Sequence, residues 1–288
     1  MRIKNLIVQQ MPFFVGSIAL LWQVLFFYVP LGFIVMLSFL QFSSAGLWTG
    51  LTFAHYTPFF KSSYAIILLK SLVLAFVNVA TCFCIGFPIA YFLSFKAGSF
   101  KNFFFFLLVL PFWTNFLLHV YAWFFVLERN GFLNTFLQKF GLIDTPYHFL
   151  NSLGAILLVM AYCYLPFMVL PIYSILEKVD RKVVEASYDL GATAWQTWSR
   201  VILPLSFSGV RSGFFLVFIP SFGEFAIPGL MGGEKRMFVG SVIANSILGN
   251  QTLASGAAFT VVSCLVLIAF IILMAYFVRK FFISSINK

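Results

Sequence analysis

The chain is 288 residues long; 62% of them are hydrophobic and only 9% charged, with a formal net charge of +10. A soluble domain carries about a quarter charged residues, so this composition, with a mean hydropathy of +1.01, excludes one. A nucleic-acid-binding domain is excluded as well, because it needs a basic soluble face and the cations here lie between apolar runs.

Six stretches reach the roughly 20 apolar residues that cover a hydrocarbon core of about 30 Å: 13–40, 68–93, 102–127, 152–172, 206–230 and 253–278. Backbone polar groups in lipid must be satisfied within the protein, which leaves helices or a closed barrel. Runs without period-two alternation exclude the barrel. The predicted fold is therefore all-α, a polytopic membrane protein with six transmembrane helices.

The first stretch follows Arg2 and Lys4 and outruns the 7–15 apolar residues of a signal peptide, so it is read as an uncleaved helix. Residues 41–67, with Pro58, form an outer loop. Cys82 and Cys84 in the second stretch stand two apart and face different ways. With Cys163 and Cys264 they are read as packing residues, without metal or disulfide. A tight basic turn, 94–101, leads to the third stretch, whose His119 is read as hydrogen-bonded structure. The outer segment 128–151 has an Asn130-Gly131 turn and then an amphipathic surface helix to Phe140. Prolines 30, 88, 111, 166, 171 and 220 fall within spans and predict bends, since each frees a carbonyl.

Orientation follows from Lys and Arg. With the amino-terminus inside, twelve of the 18 cations are cytoplasmic; the outer six are Lys61, Lys70, Arg129, Lys139, Lys235 and Arg236. Both termini are thus expected in the cytoplasm, and the segment between the fourth and fifth helices with them.

That segment, 174–204, is one long polar island. Asp180 is placed to cap a first helix running to about Leu190, and Gly191 suits the position just past its end. Thr193 and Gln196 have capping-box spacing for a second helix, with Pro204 ahead of the fifth span. Glu185 and Asp189 share a face, turned to a basic partner or to nearby Arg181. Glu185-Ala186-Ser187, Gly191 and Val201-Ile202-Leu203-Pro204 resemble the EAA loop of ABC-transporter permeases. Ser187 stands for the second Ala of that pattern and Val201 for its Ile.

This resemblance implies a type I, binding-protein-dependent importer. Its loop docks in a cleft of a cytosolic ATPase through Glu185, Ala186, Ser187, Asp189, Gly191, Ala192, Leu203 and Pro204. The chain has no Gly-x-x-x-x-Gly-Lys-Ser/Thr phosphate loop, so ATP and Mg belong to the partner, and the chain is a transport subunit, not an enzyme, with no cofactor of its own. The implied partners are two copies of the ATPase, a second permease subunit and a periplasmic or lipoprotein binding protein. Membrane lipid surrounds the assembly, and nucleic acid has no part in it. The implied location is the bacterial inner membrane. Its domains are an amino-terminal helix and loop, 1–67, a type-1 permease domain, 68–278, and a cytoplasmic tail, 279–288.

The segments 220–233 and Pro111-Phe112-Trp113-Thr114-Asn115 are similar to permease subunits of spermidine/putrescine importers, which implies a polyamine cargo. Chemistry agrees: an acidic residue within a span faces water or a partner, and Glu224 is the carboxylate placed within the six. The expected path is Glu224 with Trp113, Phe222 and Tyr121, whose rings attract ammonium groups. The alternative for Glu224 is a boundary position paired with Lys235 or Arg236; for Trp113 it is packing. Alternative functions are a permease for another organic cation or a sulfate- or molybdate-like anion, and an ion-coupled secondary transporter.

Overall fold

The computed structural model describes residues 16–42, 48–60, 62–233, 236–249 and 253–286. The start of the first predicted span and Arg2, Lys4, Lys61, Lys235 and Lys288, used above for orientation, lie outside the described residues. In chain order the elements are α1 (Gly16–Leu37), β1 (Leu40–Phe42), β2 (Trp48–Leu51) and α2 (Ser63–Lys96). Then come α3 (Gly98–Trp113), α4 (Phe116–Leu127), α5 (Phe132–Lys139) and α6 (Leu153–Leu176). The chain continues with α7 (Arg181–Asp189), α8 (Ala194–Leu205), α9 (Phe207–Gly223) and α10 (Ala226–Met231). It closes with α11 (Val239–Leu248) and α12 (Leu253–Ile286).

Among the described residues α1, α2, α6 and α12 are long and apolar enough to cross a membrane. Two bent pairs, Gly98–Trp113 with Phe116–Lys139 and α8 with α9, raise the total to six. The helices form two compact units, residues 1–65 with 242–288, and residues 66–241.

In the first unit α1 packs on α12. The outer faces of α1, such as Leu21, Trp22 and Phe26, stay exposed, as expected of a helix that is apolar all round and solvated by lipid. The outer loop has a fold of its own. An antiparallel hairpin pairs Leu40 with Leu51 and Gln41 with Gly50. Behind it Phe39 stacks on Tyr56 at 5.3 Å, and Tyr56 shares a 2.7 Å hydrogen bond with Ser38. Phe59 stacks on Phe259 at 5.6 Å, fixing the loop to α12.

The second unit is built on the pair α6–α9. Gly209 and Gly213 lie four apart on α9 and face α6 so closely that an added Cβ would sit 2.6 Å from the Pro171 carbonyl oxygen and 2.8 Å from Met168 Sδ. Without a hydrophobic drive in lipid, helices associate through such small-residue contacts and buried hydrogen bonds. One of those bonds joins α2 to α9, where the amide of Asn78 donates to Ser221 Oγ at 2.8 Å.

Most of the prolines do not interrupt their helices. Helical structure continues through Pro30, Pro88, Pro166, Pro171 and Pro220. At Pro30 the residue four before, whose carbonyl the ring would strike, lies in a π turn, Val24–Tyr28. The wider turn accommodates the ring. At Pro111 the backbone does break. The helix tightens to a 3-10 turn, Leu110–Trp113, Thr114 is extended, and Asn115 caps α4 by accepting from Leu117 N–H at 2.8 Å. The halves of the third span meet at 97°, so the bend that Pro111 predicts within 102–127 is a full break between two helices. The difference lies in Asn115, which offers a new helix start just where proline withdraws a donor.

Candidate functional site

Two sites emerge, a polar elbow and an aromatic cavity, both in residues 66–241. The elbow is written in local codes. Asp180 caps α7 by accepting from Lys182 N–H at 3.0 Å. The helix ends where Gly191 takes φ +81°, a left-handed conformation that favours glycine. There Gly191 N–H bonds Tyr188 carbonyl at 2.8 Å and Ala192 N–H bonds Ser187 carbonyl at 3.0 Å, a complete Schellman closure. Thr193 then opens α8 with a reciprocal capping box to Gln196.

Ser187 and Thr197 join the two arms. Their hydroxyls lie 2.9 Å apart and buried, while Ser187 also donates to the Val184 carbonyl at 2.7 Å. The Ser187 hydroxyl, which the Ala of the EAA pattern lacks, thus acts as an internal brace. Trp198 anchors the elbow to α2 by an edge contact with Phe87, and Trp195 stacks on Trp198. Glu185, Ala186 and Asp189 are exposed, and among the described residues neither acid forms a salt bridge. Leu190 is 89% exposed and Trp195 70%, so the tip presents bare apolar knobs beside acidic charge. Ala192 and Leu203 are half-buried, and Pro204 is exposed just before α8 turns by 69° into α9.

At the inner end of α6 Lys101 pairs with Glu177 and lies 5.4 Å over the Tyr173 ring. The hydrogen bond from Lys101 holds the Glu177 carboxyl below its ordinary value. The start of α3 is thereby tied to the segment leading into the elbow.

The cavity lies at the break between α3 and α4. It encloses about 300 Å³, lined by Phe112, Phe116, His119, Tyr162, Tyr164 and Phe167 among others. His119 stitches the break. Its Nε2 lies by Thr114 Oγ1 and 3.2 Å from the Pro111 carbonyl, and its Nδ1 lies 3.2 Å from the Tyr162 hydroxyl. A carbonyl only accepts, so Nε2 carries the proton and Nδ1 accepts from Tyr162.

Behind this wall stands Glu224. It ends α9 and caps α10, its Oε1 accepting from the N–H groups of Phe225, Ala226 and Ile227 at 3.0, 2.9 and 3.4 Å. Its Oε2 accepts from Tyr164 at 2.5 Å. Glu224 is 8% exposed, and its carboxyl oxygens accept from four donors one hydroxyl away from the cavity.

The structure does not bring the four path residues together. Phe222 is 3% exposed, within the core, while Trp113 is 74% and Tyr121 49% exposed, and none of these three lines the cavity. The turn at Thr114 swings the ring of Trp113 away, against Phe106, and brings Phe112, Phe116 and His119 inward instead. Tyr162 and Tyr164 were not singled out from the sequence. Hydroxyls inside an apolar span need partners, a signal for the residues themselves but not for where their partners lie.

The chain matches the model of the family "binding-protein-dependent transport system inner membrane component" over residues 82–283. The chain belongs to this family. It is 37% identical over 247 residues to the spermidine/putrescine transport system permease protein PotB of Escherichia coli (strain K12), covering 85% of this chain and 90% of that protein. The PotB of Haemophilus influenzae is 35% identical over 260 residues, covering 90% and 91%. A solved bacterial ABC transporter involved in the import of the acidic polysaccharide alginate superposes with TM-score 0.74 at 15% identity, covering 97% of this chain and 99% of that one. The fold is thus that of an ABC importer permease. This permease is a transport subunit of the inner membrane and not an enzyme.

Proposed function

We propose that the permease carries polyamines, putrescine or spermidine, inward, driven by a separate cytosolic ATPase. The reading rests on one observation, its 35–37% identity with spermidine/putrescine permeases over 85–90% of the chain. The cavity supports it. Aromatic faces attract ammonium groups by about 0.5–2 kcal/mol each, and the buried carboxylate of Glu224, behind the Tyr164 hydroxyl, makes the site favour cations. An anion would meet that same negative charge.

The elbow is the coupling element. Its acidic face and the exposed Leu190 and Trp195 enter a groove of the ATPase, which is present in two copies and holds ATP and Mg. A Schellman closure and a capping box make the tip rigid enough to transmit displacement into α9. A second permease subunit completes the pathway, and a periplasmic or lipoprotein binding protein delivers cargo. In this mechanism Tyr164 rotates away from Glu224 as an ammonium group arrives and exposes Oε2 to it.

Uptake of labelled spermidine, putrescine and sulfate into vesicles holding the assembled transporter tests the cargo. Saturable polyamine uptake is expected, and uptake of sulfate instead would overturn the assignment. Gly191→Pro should abolish co-purification of the ATPase, because proline removes the N–H that bonds Tyr188 and cannot adopt a positive φ.

A further inference from the structure

A second cavity in residues 66–241, of about 350 Å³, differs in character from the first. Val73, Leu74 and Val77 of α2 and Leu157 of α6 form its apolar part, and Lys70 and Arg236 its charged part. Among the described residues no carboxylate lines it, and neither cation has a carboxylate partner. Two like charges facing an apolar chamber repel a polyamine, so this cavity is no branch of the path proposed above.

The order of these residues along α2 matches the membrane. The 34 residues of α2 span about 50 Å at 1.5 Å per residue, against a hydrocarbon core of about 30 Å. Centred in the bilayer, the helix reaches the outer hydrocarbon boundary roughly seven residues from Ser63, at Lys70. Val73 and Val77 then lie about 5–10 Å deeper. Charge sits at headgroup level and the apolar wall beneath it, the polarity of a phospholipid. The cavity is open along its α2 edge, where Leu69 is 61% and Val73 53% exposed, room for an acyl chain to enter from the side.

We propose that this cavity binds an anionic phospholipid of the outer leaflet, its phosphate on Lys70 and Arg236 and one acyl chain along Val73, Leu74 and Val77. The inference uses the orientation with the amino-terminus inside and is independent of cargo. Its anionic preference comes from the pair of cations, each worth about 1 kcal/mol near a charged surface, together about a 30-fold preference over a zwitterionic lipid.

The test is native mass spectrometry of the assembled transporter titrated with phosphatidylglycerol or phosphatidylcholine. Phosphatidylglycerol should be retained about 30-fold more strongly, and the double variant Lys70→Gln/Arg236→Gln should lose that preference. Equal retention by the unaltered transporter, or a preference that survives the double variant, would overturn the proposal. A photoactivatable phosphatidylglycerol gives a readout that needs no variant. Adducts on residues 70–77 are expected; adducts only elsewhere would also overturn it. So would a Val73→Cys variant that cross-links to a partner subunit and takes up no lipid.

Discussion

Replacing Gly209 with alanine adds one methyl group where α9 crosses α6. The new Cβ lies 2.6 Å from the Pro171 carbonyl oxygen and 2.9 Å from Ile172 Cα, whereas ordinary contact starts at 3.4 Å. Both atoms are backbone, so no side chain can rotate away and the helices must part by about 0.8 Å. A gap of that size forfeits about a quarter to a half of the attraction between facing atoms, here among buried Met168, Ile172 and Phe218. Overpacking of this kind costs about 1–3 kcal/mol, and the gain of about 0.5–1 kcal/mol from alanine's helix preference offsets only part of it. At roughly 2–4 °C per kcal/mol, Tm in detergent should fall by on the order of 5 °C, read by scanning fluorimetry. Gly154→Ala in α6 is the control. Its nearest neighbour, Ser152 Oγ, is 3.8 Å away, so only alanine's helix preference acts there and Tm should hold or rise by about 1–3 °C. An unaltered Tm in Gly209→Ala, or an equal loss in both variants, would refute the close-approach reasoning.

Thr193→Ala removes the capping hydroxyl that receives Gln196 N–H and should weaken the start of α8 by about 1 kcal/mol, seen as faster amide exchange at residues 194–197. Ser187→Ala frees Thr197 Oγ1 from its buried partner and should cost about 1–3 kcal/mol, measured as a lower Tm. The lowered pKa of Glu177 sets an acid dependence: its bond to Lys101 stabilises the fold above the ordinary carboxylate pKa and is lost as pH falls through the depressed value. Melting temperatures of the native chain should drop over that range, and Glu177→Gln should flatten that part of the profile. Glu224→Gln keeps an acceptor for the α10 N–H groups, so the protein should fold with near-native Tm yet transport spermidine at least several-fold more slowly. Unchanged transport would remove Glu224 from the pathway.

The elbow was almost wholly legible in the sequence because its instructions are local. Asp180, Gly191, Thr193 and Gln196 each act on backbone within a few residues, and all take the positions their spacing predicts. The spans were legible for a related reason, since lipid allows apolar runs one backbone solution. The break at Thr114 was half-written: Pro111 predicts a bend, but a 97° turn also requires the His119 and Thr114 bonds to the freed Pro111 carbonyl. Most of the β1–β2 hairpin lay in residues 41–67, read only as a loop, where short runs carry no periodicity to read.

By itself the sequence determined the all-α membrane architecture, the two-helix elbow and its caps, and Glu224 as the acid within the spans. Only the tertiary structure decided what holds Glu224, because Tyr164 lies 60 residues away and no local pattern encodes that meeting. It also decided which rings face the cavity and why Gly209 must be small. Those properties depend on which backbone stands opposite, and that is settled only when the helices pack.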